Sequence, residues 1–235
     1  TAMSADSLVF NSEFNRKTFF AGCDQLMAKL PDYVIPEISQ QLSSKSVVIP
    51  VPIQDIWFDH KRAVRSLSND LIKLVWNHRW EYDKGPDRLL SLLTELQRRN
   101  IQFELNVVGE AFRSVPNEFS QIQQQFSKQI NVFGYLESVD EYRTLLAQCD
   151  VVVSTAIHEF QGVSVMEAVA AGCIPLVPNR LSYIELIPEA YRYDSYMDTP
   201  KLEASAAVDK LLEVKMCQNQ GLRNILKKSI NQKHY

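Results

Sequence analysis

The chain has 235 residues, of which 46% are hydrophobic and 23% charged, and its formal net charge is −3. That composition suits an ordinary globular protein with room for one large domain, or for one domain and part of another; it lacks the basic surplus of a dedicated nucleic-acid binder, although a local basic patch can coexist with a mildly acidic total. No apolar run reaches the ~20 residues that span a bilayer, and the opening residues Thr1 to Asp6 have neither the charged nor the apolar region of a signal peptide.

Residues 7–12 read as a short buried strand running into Ser/Asn turn chemistry, and residues 15–30 as a helix. A strand with no earlier partner leads to the expectation that the chain starts in mid-fold. The polar stretch at residues 60–70 is the best linker. It divides the chain into residues 1–65, the remnant of a first domain, and residues 66–235, a second domain that is complete. From there the pattern is regular. Strands are expected at residues 71–76, 103–108 (ended by Gly109), 130–133 (before Gly134), 150–154, 174–177 and, at an edge, 191–193. Helices are expected at residues 86–100, with a leucine stripe at Leu89, Leu90, Leu92, Leu93 and Leu96, at 119–129, 140–148, 162–171 (closed by Gly172), 182–187, and as one or two terminal helices over 201–228. Strands that alternate with helices, and that are themselves near-continuous apolar runs, predict a doubly wound α/β domain with a parallel, Rossmann-like sheet.

Cys23, Cys149, Cys173 and Cys217 show no CxxC spacing and read as reduced thiols of a cytoplasmic protein. The four histidines share no metal-ligand spacing, and no Asp-x-Asp pair is present to hold a metal–diphosphate, so no metal is expected. The glycine fingerprints of NAD-binding domains and P-loop NTPases are absent, as is the nucleophile elbow of hydrolases.

A doubly wound sheet binds ligands beyond the carboxyl ends of its strands. After the strand at 150–154 the chain runs through His158, Glu159, Phe160 and Gln161 into a helix opening at Gly162, Val163 and Ser164. A helix N-terminus offers unpaired N–H groups to a phosphate. Glu159 before that helix and Glu167 one turn inside it can accept hydrogen bonds from vicinal hydroxyls of a sugar or ribose. The plain structural alternative is that Glu159 caps the helix and Glu167 is solvated; against it, Glu167 sits in an almost wholly apolar helix. After the strand at 71–76 come Arg79 and Lys84, two cations suited to a diphosphate leaving group. Their plain alternative is surface pairing with Glu81 and Asp83. Gly109, marking a close backbone approach, and Tyr135 with Leu136, placed to flank a nucleobase, are weaker candidates.

Glu159 and Glu167 are spaced as the E-x7-E motif, and Arg79 and Lys84 as the Arg-x4-Lys, of retaining glycosyltransferases of the two-domain GT-B fold, which residues 71–193 resemble. More narrowly, the segments Val9 to Asn15, Trp76 to Lys84 and Ser154 to Phe160 are similar to the glycosyltransferase-like domain-containing proteins, a group that includes the tRNA-queuosine alpha-mannosyltransferase; Gln161 stands where that group commonly carries an aromatic or aliphatic residue. The resemblance implies the C-terminal half of a GT-B fold behind the remnant of an acceptor-side domain, GDP-mannose or another nucleotide-sugar as donor, queuosine in tRNA as acceptor, and no cofactor beyond the donor. A lipid or glycan acceptor, or a sugar-nucleotide-binding module without turnover, are the alternatives. It also implies that Arg79 and Lys84 hold the donor diphosphate with the N–H groups of Gly162, Val163 and Ser164, that Glu159 contacts the transferred sugar and Glu167 the ribose. On this reading Glu159→Ala and Lys84→Ala each abolish transfer and leave the fold intact.

Overall fold

A computed structural model describes residues 2–30, 37–58, 67, 70–111 and 114–216. The elements in chain order are β1 (Leu8–Phe10), α1 (Glu13–Met27), α2 (Ile38–Ser44), β2 (Ser46–Val48), β3 (Ile72–Trp76), α3 (Pro86–Arg98), β4 (Phe103–Val108), α4 (Asn117–Gln125), β5 (Ile130–Gly134), α5 (Val139–Gln148), β6 (Val151–Val153), α6 (Val163–Ala170), β7 (Ile174–Pro178), α7 (Tyr183–Leu186), β8 (Arg192–Tyr193) and α8 (Pro200–Met216).

Six strands form one sheet in the order β5-β4-β3-β6-β7-β8, and every neighbouring pair is parallel. The chain builds outward from β3 to β5 on one side, then returns to lay β6, β7 and β8 on the other. The carboxyl ends of β3 and β6 therefore flank the point where the strand order reverses, which is where such sheets open a crevice. The sequence expectation of a doubly wound parallel α/β sheet is met. Its strands are apolar because both faces are covered: β6 and β7 are buried at every position, and Val75 and Trp76 of β3 have no exposed surface.

Helix α3 opens with Pro86 at its first position, where a missing N–H costs nothing. It buries Leu89, Leu92, Leu93 and Leu96, spaced i, i+3, i+4 and i+7. Leu90 of the expected stripe is only partly buried. Helix α8 packs on α3 and carries the buried Glu203, which pairs with Arg88 of α3 at 3.2 Å and with Arg180 at 2.6 Å. Arg180 in turn donates to the carbonyls of Ala156 (2.8 Å) and Thr155 (3.2 Å), fixing the loop that follows β6.

Several boundaries differ from the sequence expectation. The helix expected at 119–129 starts two residues earlier and stops at Gln125, because Phe119, Ile122 and Phe126 are the anchors it can bury. Helix α1 starts at Glu13 rather than residue 15, since the Ser12 hydroxyl accepts the Asn15 N–H at 3.0 Å and caps it. The terminal helix is described to Met216. The expected linker at 60–70 and Cys217 lie largely or wholly outside the described residues. Strand β1 does have a partner: it pairs in parallel with β2, a three-residue strand that the sequence pattern does not reveal. The segment carrying these strands is tied to the large sheet. The Glu185 carboxylate of α7 accepts the N–H groups of Glu13 and Phe14, each at 3.1 Å, at the positive end of α1. Among the described residues no helix is long and apolar enough to cross a membrane.

Candidate functional site

The loops after β3 and β6 are stitched together before any ligand is considered. The Trp76 indole donates to the Thr155 hydroxyl at 3.0 Å, and that hydroxyl donates to the Lys84 carbonyl at 2.8 Å. The Asp83 carbonyl accepts the N–H groups of Ile157 (2.8 Å) and His158 (3.1 Å). This network brings Lys84, from one loop, against Glu159, from the other.

Lys84 is buried, and its ammonium makes three contacts: the His158 carbonyl at 2.9 Å, Glu159 Oε2 at 3.3 Å and Asp83 Oδ2 at 3.1 Å. The other oxygen of Glu159, Oε1, accepts the N–H groups of Phe160 (3.1 Å), Gln161 (3.4 Å) and Gly162 (2.9 Å). Burial works to raise the Glu159 carboxyl, but the Lys84 charge, the His78 ring and the N–H groups of Gly162 and Gln161 outweigh it and hold the group below the usual carboxylate range. Glu159 thus fastens the loop that leads to Gly162, the N-cap of α6, and is the partner of a buried cation. The Gly162 N–H, expected to face a phosphate, is donated to Glu159. Gly162 itself has φ +72°, and a Cβ there would meet Tyr183 Cε1 at 2.8 Å, so glycine is required on two counts. Val163 and Ser164 follow in the first turn of α6, half-buried.

A cavity of about 360 Å³ opens beside this cluster. It brings together four expected residues, Arg79, Gly109, Tyr135 and Leu136, with Trp57, Asn77, His78 and Tyr142, which the sequence reading passed over. Arg79 pairs with Glu81 at 3.1 Å and remains half-exposed, so surface pairing and a position on the cavity wall coexist. Gly109 does mark a close approach, but to protein: a Cβ there would overlap the His78 carbonyl. Tyr135 is exposed at the rim, not in the core. Lys84, Glu159, Gly162, Val163, Ser164 and Glu167 do not line this cavity. Two residues join the groups. Asn77 donates from Nδ2 to the Ser164 carbonyl (2.7 Å) and to the Tyr142 hydroxyl (2.8 Å), linking the cavity wall to the first turn of α6. His78 lines the cavity and feels the charges of Glu159, Lys84 and Asp83. Glu167, half-buried in α6, is pushed up to about 7 by burial.

Gln161 is almost fully buried. Its Oε1 accepts the Val51 N–H at 2.9 Å and its Nε2 donates to the Val51 carbonyl at 2.7 Å, a side-chain imitation of strand pairing. No local pattern announces this contact.

The family model for glycosyl transferases group 1 matches residues 58–232. The chain belongs to that family. The first part of this group 1 glycosyltransferase, residues 1–53, matches the model of the tRNA-queuosine alpha-mannosyltransferase N-terminal region. It is 34% identical over 201 residues to the tRNA-queuosine alpha-mannosyltransferase of Drosophila melanogaster, an alignment that takes in 83% of this chain and 53% of the relative. It is 26% identical over 134 residues to the GDP-mannose:cellobiosyl-diphosphopolyprenol alpha-mannosyltransferase of Xanthomonas oryzae pv. oryzae, covering 57% of this chain and 35% of that protein. The glycosyltransferase chain thus spans about half the length, or less, of these curated relatives. Among solved structures it superposes on the pneumococcal O-GlcNAc transferase GtfA in complex with UDP and GlcNAc with a TM-score of 0.68 at 15% identity, over 98% of this chain and 42% of that one. It superposes on WaaG, a glycosyltransferase involved in lipopolysaccharide biosynthesis, with a TM-score of 0.61 at 16% identity, over 96% of this chain and 62% of that one. At such identities the likeness is one of fold, the GT-B fold expected from the sequence.

Proposed function

We propose that this chain is the donor-binding part of a retaining, metal-independent α-mannosyltransferase that takes mannose from GDP-mannose and places it on queuosine in tRNA, in the cytoplasm. The observation that carries the reading is the meeting of Lys84 and Glu159 at 3.3 Å, from two different strand-end loops, at the reversal point of the sheet. The 34% identity to the Drosophila queuosine enzyme and the match of residues 1–53 to that enzyme's N-terminal region support the acceptor. The name of the Xanthomonas relative supports GDP-mannose as donor. The division into residues 1–65, on the acceptor side, and 66–235, on the donor side, belongs to this proposal.

In the reaction, the bond between the sugar C1 and the donor phosphate oxygen breaks, and a bond from C1 to an acceptor hydroxyl oxygen forms on the same face. The acceptor proton passes to the departing phosphate. Arg79 and Lys84 offset the charge that develops on the diphosphate, Val163 and Ser164 offer N–H groups at the head of α6, Glu159 orients the sugar, Glu167 takes the ribose, and Tyr135 with Leu136 and Gly109 bound the base end of the cavity. Catalysis then rests on positioning and charge stabilisation.

The test is to incubate the full-length protein with labelled GDP-mannose and queuosine-containing tRNA, with and without EDTA. Label in the tRNA under both conditions is expected. Label that appears only with divalent metal removes metal independence, and no label in tRNA removes the acceptor. The relation to the Xanthomonas enzyme favours a second reading, a lipid-linked glycan acceptor; label on polyprenol-linked saccharide and not on tRNA selects it.

A further inference from the structure

Two adjacent residues at the end of β3 have polar atoms that the fold leaves unused. His78 is 4% exposed and Asn77 5%. Among the described residues His78 Nε2 and Asn77 Oδ1 have no hydrogen-bond partner, and both residues line the 360 Å³ cavity. Native structures seldom leave buried polar atoms unpaired, and where they do a ligand is a ready explanation. Neither side chain is free to turn away. Asn77 is held through Nδ2 by the Ser164 carbonyl and the Tyr142 hydroxyl. The His78 ring packs edge-on against Trp76, centroid to centroid 5.0 Å, and its carbonyl lies against Gly109 so closely that no Cβ fits there.

Position says what the ligand is. His78 stands beside Arg79 in sequence and on the cavity wall, and it faces the Lys84–Glu159–Asp83 cluster. A molecule that reaches from the cavity to that cluster passes His78 between Arg79 and Lys84, the two residues to which the reading above gives the donor diphosphate. We infer that His78 is a substrate-contacting residue that donates a hydrogen bond from Nε2, as a neutral imidazole, to the diphosphate of a nucleoside-diphosphate donor, with Asn77 Oδ1 accepting from a donor hydroxyl beside it. This rests on the nucleotide-sugar reading above and adds a residue to it. Neutrality follows from the surroundings. Burial drives the ring down to about 4; Glu159 opposes this, Lys84 adds to it and Asp83 opposes it, so the imidazole stays uncharged over the whole working range. A neutral N–H donor gives the phosphate a directional contact without a third positive charge next to Arg79 and Lys84.

The experiment is calorimetric titration of the full-length protein with GDP and with GDP-mannose, comparing the wild type with His78→Ala and His78→Gln, at several pH values from 5.5 to 8.5. The glutamine amide nitrogen reaches the position of Nε2 and can donate the same bond. The expected result is at least a tenfold loss of GDP affinity in His78→Ala, affinity within about threefold of wild type in His78→Gln, and a ratio between them that does not change with pH. Melting of the ligand-free His78→Ala protein is expected to fall by several degrees, because a buried ring packed on Trp76 is lost, so affinities are compared at temperatures where both proteins are folded. Equal GDP affinity in the wild type and a folded His78→Ala overturns the inference and leaves the donor reading standing. A ratio that grows below pH 6.5 overturns the neutral donor in favour of an imidazolium. If His78→Ala does not fold, His78→Gln decides: a folded His78→Gln that has lost tenfold or more also overturns it. A wild type that binds no nucleoside diphosphate removes the donor reading and this inference together.

Discussion

The Lys84–Glu159 contact invites a double-mutant cycle with Lys84→Met and Glu159→Gln, which remove the charges and keep most of the volume. At 3.3 Å and an effective dielectric of ~20, the gross attraction is about 5 kcal/mol. Both side chains are largely withdrawn from water, with 10% and 16% of their surface exposed, so desolvation offsets a large part of this. Lys84→Met leaves two carboxylates facing each other without their cation. Loss of one partner of a buried pair costs ~3–5 kcal/mol; Glu159 keeps three backbone N–H bonds, which places the effect near the lower end, about 3 kcal/mol. For a chain of this size that lowers the melting temperature by roughly 6–12 °C. Glu159→Gln keeps an oxygen to accept the loop N–H groups, and Asp83 still answers Lys84, so about 1 kcal/mol is expected. In the double variant no charge is orphaned on the Glu159 side, and the combined cost is expected to fall short of the sum by about 2 kcal/mol. Urea unfolding of the four proteins measures the cycle, and mannose transfer is expected to be lost in all three variants. Additivity within about 0.5 kcal/mol would refute the claim that this pair holds the two loops together.

Other consequences can be checked alongside. Glu167 has its carboxyl raised from 4.5 to about 7 by burial. Below pH 4.5 folded and unfolded states are both protonated and burial costs nothing; as pH rises from 4.5 through 7 the unfolded state ionises first and stability falls, by about 1–2 kcal/mol once the solvent screening of a half-buried group is allowed for. Glu167→Gln is therefore expected to melt several degrees above the wild type at pH 8.5 and close to it at pH 5; no pH dependence in the difference contradicts this. Gln161→Leu removes both bonds to Val51 and is expected to cost about 2 kcal/mol, or roughly 4–8 °C, by thermal melting; an unchanged melt means that the amide does not tether the N-terminal segment. Asp83→Asn removes one of the two carboxylates competing for Lys84, and donor affinity measured by calorimetry is expected to rise severalfold; a fall counts against Lys84 as a diphosphate ligand.

The sequence made the sheet legible because strands covered on both faces are largely apolar: β6 and β7 are unbroken apolar runs, and β3 and β4 are interrupted only by Lys73, Glu104 and Asn106. Leu89, Leu92, Leu93 and Leu96 made α3 equally plain. Strand order is a non-local property, and no pattern along the chain shows that β6 returns to pair with β3. The three-residue strands β1 and β2 are too short to carry a period, and they pair across 38 positions. Within the site, Arg79, Lys84, Glu159 and Glu167 were found by motif spacing, but their surroundings were not. Lys84 reads as a surface cation whose loss spares the fold; in three dimensions it is buried under three acceptors. Asn77 and His78 fall inside the segment Trp76 to Lys84, and nothing in the pattern singles them out. The available signal was two polar residues directly following a strand with no exposed side chain at its end, at the carboxyl edge of a central strand. Gln161 and Val51 are 110 positions apart, and only folding puts them together.

The charges of the site do not balance on their own. The Lys84 ammonium donates to the His158 carbonyl and to Glu159 and forms an ion pair with Asp83. Lys84, Glu159 and Asp83 together carry one net negative charge, so this cluster alone repels a diphosphate. Attraction has to come from Arg79, which is half-exposed and pairs with Glu81, and from the head of α6, where Glu159 already occupies the Gly162 N–H. A diphosphate that reaches Lys84 must therefore displace an acidic partner. Asp83 is the better candidate, because its carboxylate is more exposed than that of Glu159 and can be taken up by water, whereas Glu159 is fastened by three backbone N–H groups. The exchange of Asp83 for phosphate leaves Glu159 where it is, still on Lys84 and still fastened to the loop before α6, next to the sugar it is proposed to orient. The buried pair is then the fixed frame of the site, and Asp83 is the placeholder that the donor replaces.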